Sequence, residues 1–365
     1  MAKGRTRLAV APNRPGSQEH YPYTTRSLLR LYDEGLLTNV TDVLVEPTYG
    51  YVARLTYTDG SHRVTHGSDL GLNTAAASKL AEDKGYSKFM LRTLGVNCPD
   101  GEEFLLPWWE EKISPLQRAR GTVAAKSTAM APEYIEQHHG YPTYVKPVDG
   151  SQGAGVYKVH DAGELALAFQ EYEQKQVRVA VVEEPIDMPD YRLVVLDGEL
   201  ISAYRRVPLS VTGDGRRTIY ELLTGLQSTY LAAGRNTQID PHDARIAAYL
   251  QRKGMSLRSI PQDSTIMALM DISNLSAGGT SEDITDTIPE RWVNMAAYIT
   301  SNFNLRLGGL DLACSDIMDE TANHSVLEVN SSPGLNHYAA SGADQQRLVD
   351  RLYTRVFNAF PSHDT

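Results

Sequence analysis

Toward the C-terminal end, two short apolar runs each carry one carboxylate: Leu310-Asp311-Leu312-Ala313-Cys314 and Val326-Leu327-Glu328-Val329-Asn330. Both read as strands. Side chains alternate faces along a strand, so Glu328 and Asn330 point the same way. A carboxylate buried in such a run is costly unless a cation compensates it. Two compensations are open. The oxygens of Asp311, Glu328 and Asn330 are hard donors suited to Mg²⁺ held jointly with phosphate, or the acids pair with arginines such as Arg306.

The rest of the chain mixes helical and strand periodicity without strict alternation, which favours an α+β class. Strands are expected at Leu8-Ala9-Val10, Val43 to Val45, Tyr51 to Tyr57, His62 to Val64, Thr143 to Val148, Gly155 to Val159, Val177 to Val182, Tyr191 to Leu196 and Leu200 to Tyr204. Helices are expected at Thr25 to Tyr32, from Asn73-Thr74 to Leu94, and at Glu164 to Tyr172, Ile219 to Leu231, Pro241 to Arg252 and Pro289 to Phe303. The stretch from Leu106 to Pro132 shows no clean period.

A net charge of −10 with no Lys/Arg run argues against non-specific nucleic-acid binding. No apolar run is long enough to cross a membrane, and the start of the chain lacks a signal-peptide core, so a cytoplasmic protein is expected. Cys98 and Cys314 are too far apart in sequence for a CxxC metal knuckle, and Cys314 reads as a core residue.

Between two strands lies Asp149-Gly150-Ser151-Gln152-Gly153-Ala154-Gly155. It is neither a Walker A loop nor a dinucleotide fingerprint. Its unhindered N–H groups can still close over phosphate, and Lys146 stands three residues before it. Further on come Arg206-Val207-Pro208-Leu209-Ser210-Val211-Thr212-Gly213-Asp214-Gly215 and Asn274-Leu275-Ser276-Ala277-Gly278-Gly279-Thr280. Leu327-Glu328-Val329-Asn330-Ser331-Ser332-Pro333-Gly334-Leu335 follows. In this order, from about Ser78 to about His337, these stretches resemble the ATP-grasp superfamily, in particular the ATP-grasp module of cyanophycin synthetase and related modules of bifunctional glutathione synthetases.

The resemblance implies an ATP-grasp fold: two α+β lobes clasping ATP, preceded by a small N-terminal α/β lobe. The expected segments are an N-terminal lobe (1–75), a linker with the first helices (76–135), the small lobe with the glycine loop (136–190), the large lobe with the metal site (191–345) and a C-terminal helix (346–365). It implies ATP and Mg²⁺, with Mn²⁺ as a substitute. Lys84, Lys146 and the loop residues Gly150, Ser151, Gln152, Gly153 and Gly155 would meet the phosphates. Glu183, Glu184 and Ile186 fall on the adenine hinge and Asp190 on the ribose position. Asp311, Glu328 and Asn330 fall on the metal ligands. Arg192, Arg206, Lys146 and Asn274 would serve the chemistry.

The implied activity is carboxylate–amine ligation through an acyl phosphate, releasing ADP and phosphate. Its partners would be small-molecule or peptide substrates rather than nucleic acid or membrane; a homo-oligomer is left open. The alternatives are phosphotransfer to a hydroxyl and a non-catalytic nucleotide-binding module. One departure is plain. The resemblance leads one to expect arginine just before Asn274, where Met270-Asp271-Ile272-Ser273 stands. A less cationic acceptor wall is therefore expected, with a substrate amine facing Asp271. His337 is a candidate substrate contact, and the aromatic clusters His20 to Tyr23 and Tyr49 to Tyr51 are candidate walls of the substrate cleft.

Overall fold

The structure, a computed structural model, describes residues 20–113, 126–150, 154–232, 235 and 237–361. The strand expected at Leu8-Ala9-Val10 and the loop residues Ser151, Gln152 and Gly153 lie outside the described residues. The chain divides into two units: Met1–Gly71 with Val349–Thr365, and Leu72–Leu348.

The first unit holds helix α1 (Tyr23–Asp33) and the antiparallel sheet β1 (Val40–Val45), β2 (Val52–Tyr57) and β3 (His62–His66). Alternation along β2 turns Ala53, Leu55 and Tyr57 inward, and Leu28 and Leu31 of α1 are buried as well. A turn at Asp59-Gly60 joins β2 to β3, with Gly60 at φ +85° and the Asp59 carboxylate accepting from Ser61 N.

The last helix, Ala343–Asn358, contributes Val349, Leu352, Tyr353, Val356 and Phe357 to buried positions. Its end is tied into this unit by Arg63, which donates to the carbonyls of Val356 and Ala359, and by Asn39, which bonds Asn358. Tyr21 is spent within the same unit. Its ring lies so close to Gly50 that a side chain there would collide with it, and its hydroxyl donates to Pro47 O.

The second unit opens with helices α2 (Ala75–Glu82) and α3 (Lys84–Thr93). The single helix expected here is broken at Asp83, whose extended backbone and side chain cap α3 by accepting from the N–H groups of Gly85 and Tyr86. There follow β4 (Gly101–Leu105), α4 (Pro107–Lys112), β5 (Lys126–Ser127), α5 (Ala131–His138), β6 (Thr143–Pro147), β7 (Tyr157–Val159), α6 (Ala162–Gln174) and β8 (Val179–Glu183). The strands form one sheet in the order β5-β4-β8-β6-β7. Phe104, Val145 and Val182 from the sheet bury with Ile135, Leu165 and Tyr172 from its helices.

The second sheet of this unit is antiparallel, in the order β13-β10-β9-β14-β15. It comprises β9 (Asp190–Leu196), β10 (Glu199–Val207), β13 (Thr280–Asp283), β14 (Leu307–Cys314) and β15 (His324–Asn330). Helix α9 (Glu290–Asn302) buries Trp292, Ala296 and Ile299 in the cluster that also takes Leu193, Leu310 and Val326 from this sheet. Cys314 belongs to the same cluster, as expected for a core residue. Between β10 and β13 lie β11 (Ser210–Thr212), α7 (Ile219–Ala232), α8 (Ala244–Arg252) and β12 (Ile266–Ala268), with a core of their own. After β15 comes the short helix α10 (Asn336–Ala339). The mixture of helices with mostly antiparallel sheets is α+β.

Asn73 pins the start of this unit to the two carboxylate strands. Its amide donates to Leu307 O and Ser331 O and accepts from the N–H groups of Arg306 and Leu307. Among the described residues, no helix is long and apolar enough to cross a membrane.

Candidate active site

Asp311 and Glu328 are register partners on β14 and β15, and on its other side Asp311 faces Arg192 of β9. Arg192 donates from Nε and Nη2 to the two Asp311 oxygens. Arg206 of β10 places Nη2 2.7 Å from Asp311 Oδ2 and 2.9 Å from the Asp190 carboxylate. Burial alone would raise the Asp311 carboxyl; the two guanidiniums outweigh it and hold it below the usual carboxylate range. Asp190 moves the other way, because burial and the Asp311 charge exceed the help it gets from Arg206. Arginines do balance the buried acid, but they are Arg192 and Arg206; Arg306 instead pairs with Asp197 at 2.8 Å.

Helix α3 links this sheet to the other one. Lys84 reaches Glu328 at 3.3 Å and donates to Gly150 O at the start of the glycine loop. One turn later, Lys88 pairs with Glu183 at the end of β8, and Lys146 of β6 pairs with the other Glu183 oxygen. Burial would push Glu183 up, yet the two ammoniums hold it at about 2. The Lys88 ammonium is pushed down by burial. Sequence reasoning gave Lys88 no role. It reads there as one more helix lysine, and only the fold brings Glu183, distant in sequence, against it.

The remaining expected positions have contacts of their own. Gly155 has φ +70°, and a side chain there would crowd Pro147 and Tyr172. Thr143 Oγ1 donates to Glu183 O. Glu184 is tied to Asp100, accepting from its N–H and donating its own N–H to the Asp100 carbonyl. Ile186 is half-buried in the segment between β8 and β9. Asn274 starts a single 3₁₀ turn, Leu275–Ala277, and its carbonyl accepts from Ala277 N and Gly279 N.

The stretch before Asn274 needs a correction. Met270 is buried, and Asp271 pairs with Arg252 of α8. A guanidinium therefore stands beside this stretch after all, supplied by another element. Asp271 is not an open acid waiting for a substrate amine.

Among the described residues, no three His, Cys, Asp or Glu side chains converge as a metal-binding group. The set on β14 and β15 is completed by an amide instead. Asn330 Nδ2 is buried and has no hydrogen-bond partner among the described residues, and Glu328 is 28% exposed with Lys84 as its ion-pair partner. Glu328 thus has lone pairs to spare for Mg²⁺, which takes oxygen ligands; the unpartnered Asn330 Nδ2 is an N–H donor, and a metal would take the Asn330 carbonyl oxygen instead. Asp311, held by two arginines, has fewer lone pairs to spare.

No family model matches the chain. Over 222 residues it is 33% identical to cyanophycin synthetase of Trichormus variabilis, covering 60% of this chain and 25% of that protein. It is 31% identical to the cyanophycin synthetase of Synechocystis over 74% of this chain and 29% of the relative. It is 26% identical to the glutathione biosynthesis bifunctional protein of Enterococcus faecalis over 74% of this chain and 34% of the relative. The chain thus spans roughly a quarter to a third of the curated relatives it matches. Among solved structures, a bifunctional glutathione synthetase from Pasteurella multocida superposes with a TM-score of 0.55 at 22% identity, over 91% of this chain and 43% of that one. The chain has the ATP-grasp fold and is a homologue of cyanophycin synthetases and bifunctional glutathione biosynthesis proteins.

Proposed function

We propose that this chain uses Mg-ATP to join a carboxylate to an amine through an acyl phosphate. The observation that carries this reading is the concentration of buried cations: Lys84, Lys88, Lys146, Arg192 and Arg206 stand against the carboxylates of Glu183, Asp190, Asp311 and Glu328. Such a centre has cationic charge in excess and suits a polyanion.

In the proposed reaction the substrate carboxylate attacks the γ-phosphorus, ADP leaves, and the amine then displaces phosphate from the acyl carbon. Two anions must meet in the first step. Lys84, Lys146 and Arg206 would lower their repulsion, and Arg192 would orient the acyl group. Gly150 and the rest of its loop would cover the phosphates and exclude water, which otherwise hydrolyses the acyl phosphate. Asp190 would meet the ribose, and the 183–186 segment the adenine. Asp311, Glu328 and Asn330 would hold Mg²⁺, which when bound supplies charge neutralisation at the phosphates. The matched cyanophycin proteins are synthetases by name and the bifunctional relative is named for glutathione biosynthesis, which supports bond formation over transfer to a hydroxyl. The two free cysteines suit the reducing cytoplasm we propose as its compartment.

The test is to incubate the protein with Mg-ATP and pools of amino acids and short peptides. ADP, phosphate and a condensation product by mass are expected. AMP with pyrophosphate as the main products, or ADP release with no condensation product in any pool, overturns the proposal.

A further inference from the structure

The turn Leu275–Ala277 leads straight into β13, whose Ser281 is the register partner of Arg206. Three carbonyls at its rear are held by two buried side chains. Arg235 Nη2 donates to Leu275 O and Gly279 O, and the Tyr230 hydroxyl donates to Gly278 O. The guanidinium also stacks over the Tyr230 ring, 4.1 Å from its centre. Its Nε donates to Thr237 Oγ1 at 3.0 Å. Thr237 is itself held to α7, because its carbonyl accepts from Gln227.

On its other side Thr237 Oγ1 lies 3.0 Å from His337 Nδ1. Helix α10, which carries His337, packs against the 275–277 turn, and its next residue, Tyr338, donates to Asp283 of β13.

One direction of this relay leaves no buried proton without an acceptor. Arg235 Nε is always a donor, so the Thr237 oxygen receives that bond. Among the described residues the Thr237 hydroxyl has no other acceptor than His337 Nδ1, so its proton goes there. Nδ1 is then the bare nitrogen and Nε2 carries the hydrogen. Nε2 makes no hydrogen bond to another described residue. Burial, helped by the nearby Arg235 charge, lowers the imidazole to about 4, so it stays neutral in the working range.

We propose that Arg235 and Thr237 are positioning residues that hold His337 as the neutral Nε2–H tautomer beside the 274–279 turn, where it offers one fixed donor to an acceptor oxygen of the substrate. The donor's use rests on the ligase reading above. The tautomer does not. A neutral N–H selects a carbonyl or carboxylate oxygen over an amine in its ammonium form, so this corner would read the acyl side of a substrate.

The test uses the full chain labelled with ¹⁵N-histidine, the His337 signals being assigned by their loss in His337→Gln. In ligand-free wild type the Nε2–H pattern is expected from about pH 5.5 to about pH 8, without titration. Thr237→Val keeps the shape, removes the relay and is expected to give mixed tautomers. With Mg-ATP and a pool of the proteinogenic amino acids, Thr237→Val and His337→Leu should each raise KM for the pool about fivefold, the factor one neutral hydrogen bond carries. KM for ATP should stay unchanged. His337→Gln, which keeps an N–H near the Nε2 position, should recover most of the loss. An Nδ1–H pattern, or a Thr237→Val spectrum like wild type, overturns the proposal whatever the turnover. If the tautomer is as stated but no pool supports condensation, the ligase reading fails and the substrate role of His337 falls with it.

Discussion

Arg206 Nη2 sits 2.7 Å from Asp311 and 2.9 Å from Asp190, so one guanidinium separates two carboxylates on neighbouring strands. Arg206→Met would leave those acids facing each other, with Arg192 as the remaining cation on Asp311. The expected cost is about 3–5 kcal/mol, the usual penalty for removing one partner of a buried ion pair. Asp190→Asn in the same chain should return part of it, and added Mg²⁺ should do likewise. Urea unfolding of the single and double variants checks this. A single variant as stable as wild type would mean that the pair is solvated and that the charge argument for the site is wrong.

Glu328 tests the metal assignment. Glu328→Gln is nearly isosteric and leaves the β14–β15 register intact, but it removes the charge that Lys84 now shares. Turnover is expected to vanish at saturating Mg²⁺, while the thermal midpoint falls, because the buried Lys84 loses its carboxylate and keeps only the Gly150 carbonyl among the described residues. Near wild-type ADP release would remove Glu328 from the metal set.

The Lys88–Glu183–Lys146 cluster predicts a specific acid sensitivity. Glu183 is held at about 2 in the folded chain, against an ordinary value of 4.5. Its folded value is depressed, so its contribution to stability is full above the unfolded value and is lost as pH falls through the folded one. The window is therefore between about pH 4.5 and about pH 2. Glu183→Gln should flatten the stability-versus-pH curve there. It should also be less stable at neutral pH, because two buried lysines lose their partner. Denaturant unfolding across the window measures both. An unchanged slope would show that Glu183 does not carry the dependence.

What could be read in the sequence follows from range. Asp311 and Glu328 announce themselves because a carboxylate inside an apolar run is a local conflict, and the structure makes them register partners. The β9–β10 hairpin is equally local, with Asp197 at φ +50° and Gly198 at φ +83° in its turn. Strand β4 was not legible, since Gly-Glu-Glu-Phe-Leu has no alternation and its pairing with β8 is remote in sequence. The same holds for Lys88 and for Arg252. Each looks like a solvated helix charge until a distant segment brings Glu183 or Asp271 against it. The break at Asp83 did carry a signal, a capping residue followed by the N–H groups it satisfies, but helical periodicity on both sides masks it.

Asn73 gives the last prediction. Its single amide makes four hydrogen bonds to backbone groups: Leu307 O, Ser331 O, Arg306 N and Leu307 N. These groups flank β14 and β15, the strands that carry Asp311, Glu328 and Asn330. Asn73→Leu fills a similar volume but strips all four partners at once. Each stranded buried backbone group costs roughly 1–3 kcal/mol when water cannot reach it. The residue is only partly buried, so the lower end of that range applies. The variant should therefore unfold at visibly lower denaturant. Because the β14 entry and the β15 exit both lose their anchor, Mg²⁺ affinity should weaken with it, read as a rightward shift in the Mg²⁺ dependence of ATP turnover. The control is Asn73→Asp, which keeps the acceptor for Arg306 and Leu307 and loses the two donated bonds; it should fall between wild type and Asn73→Leu in both measurements. A loss of stability with an unchanged Mg²⁺ dependence would show that the anchor supports the fold without shaping the metal strands.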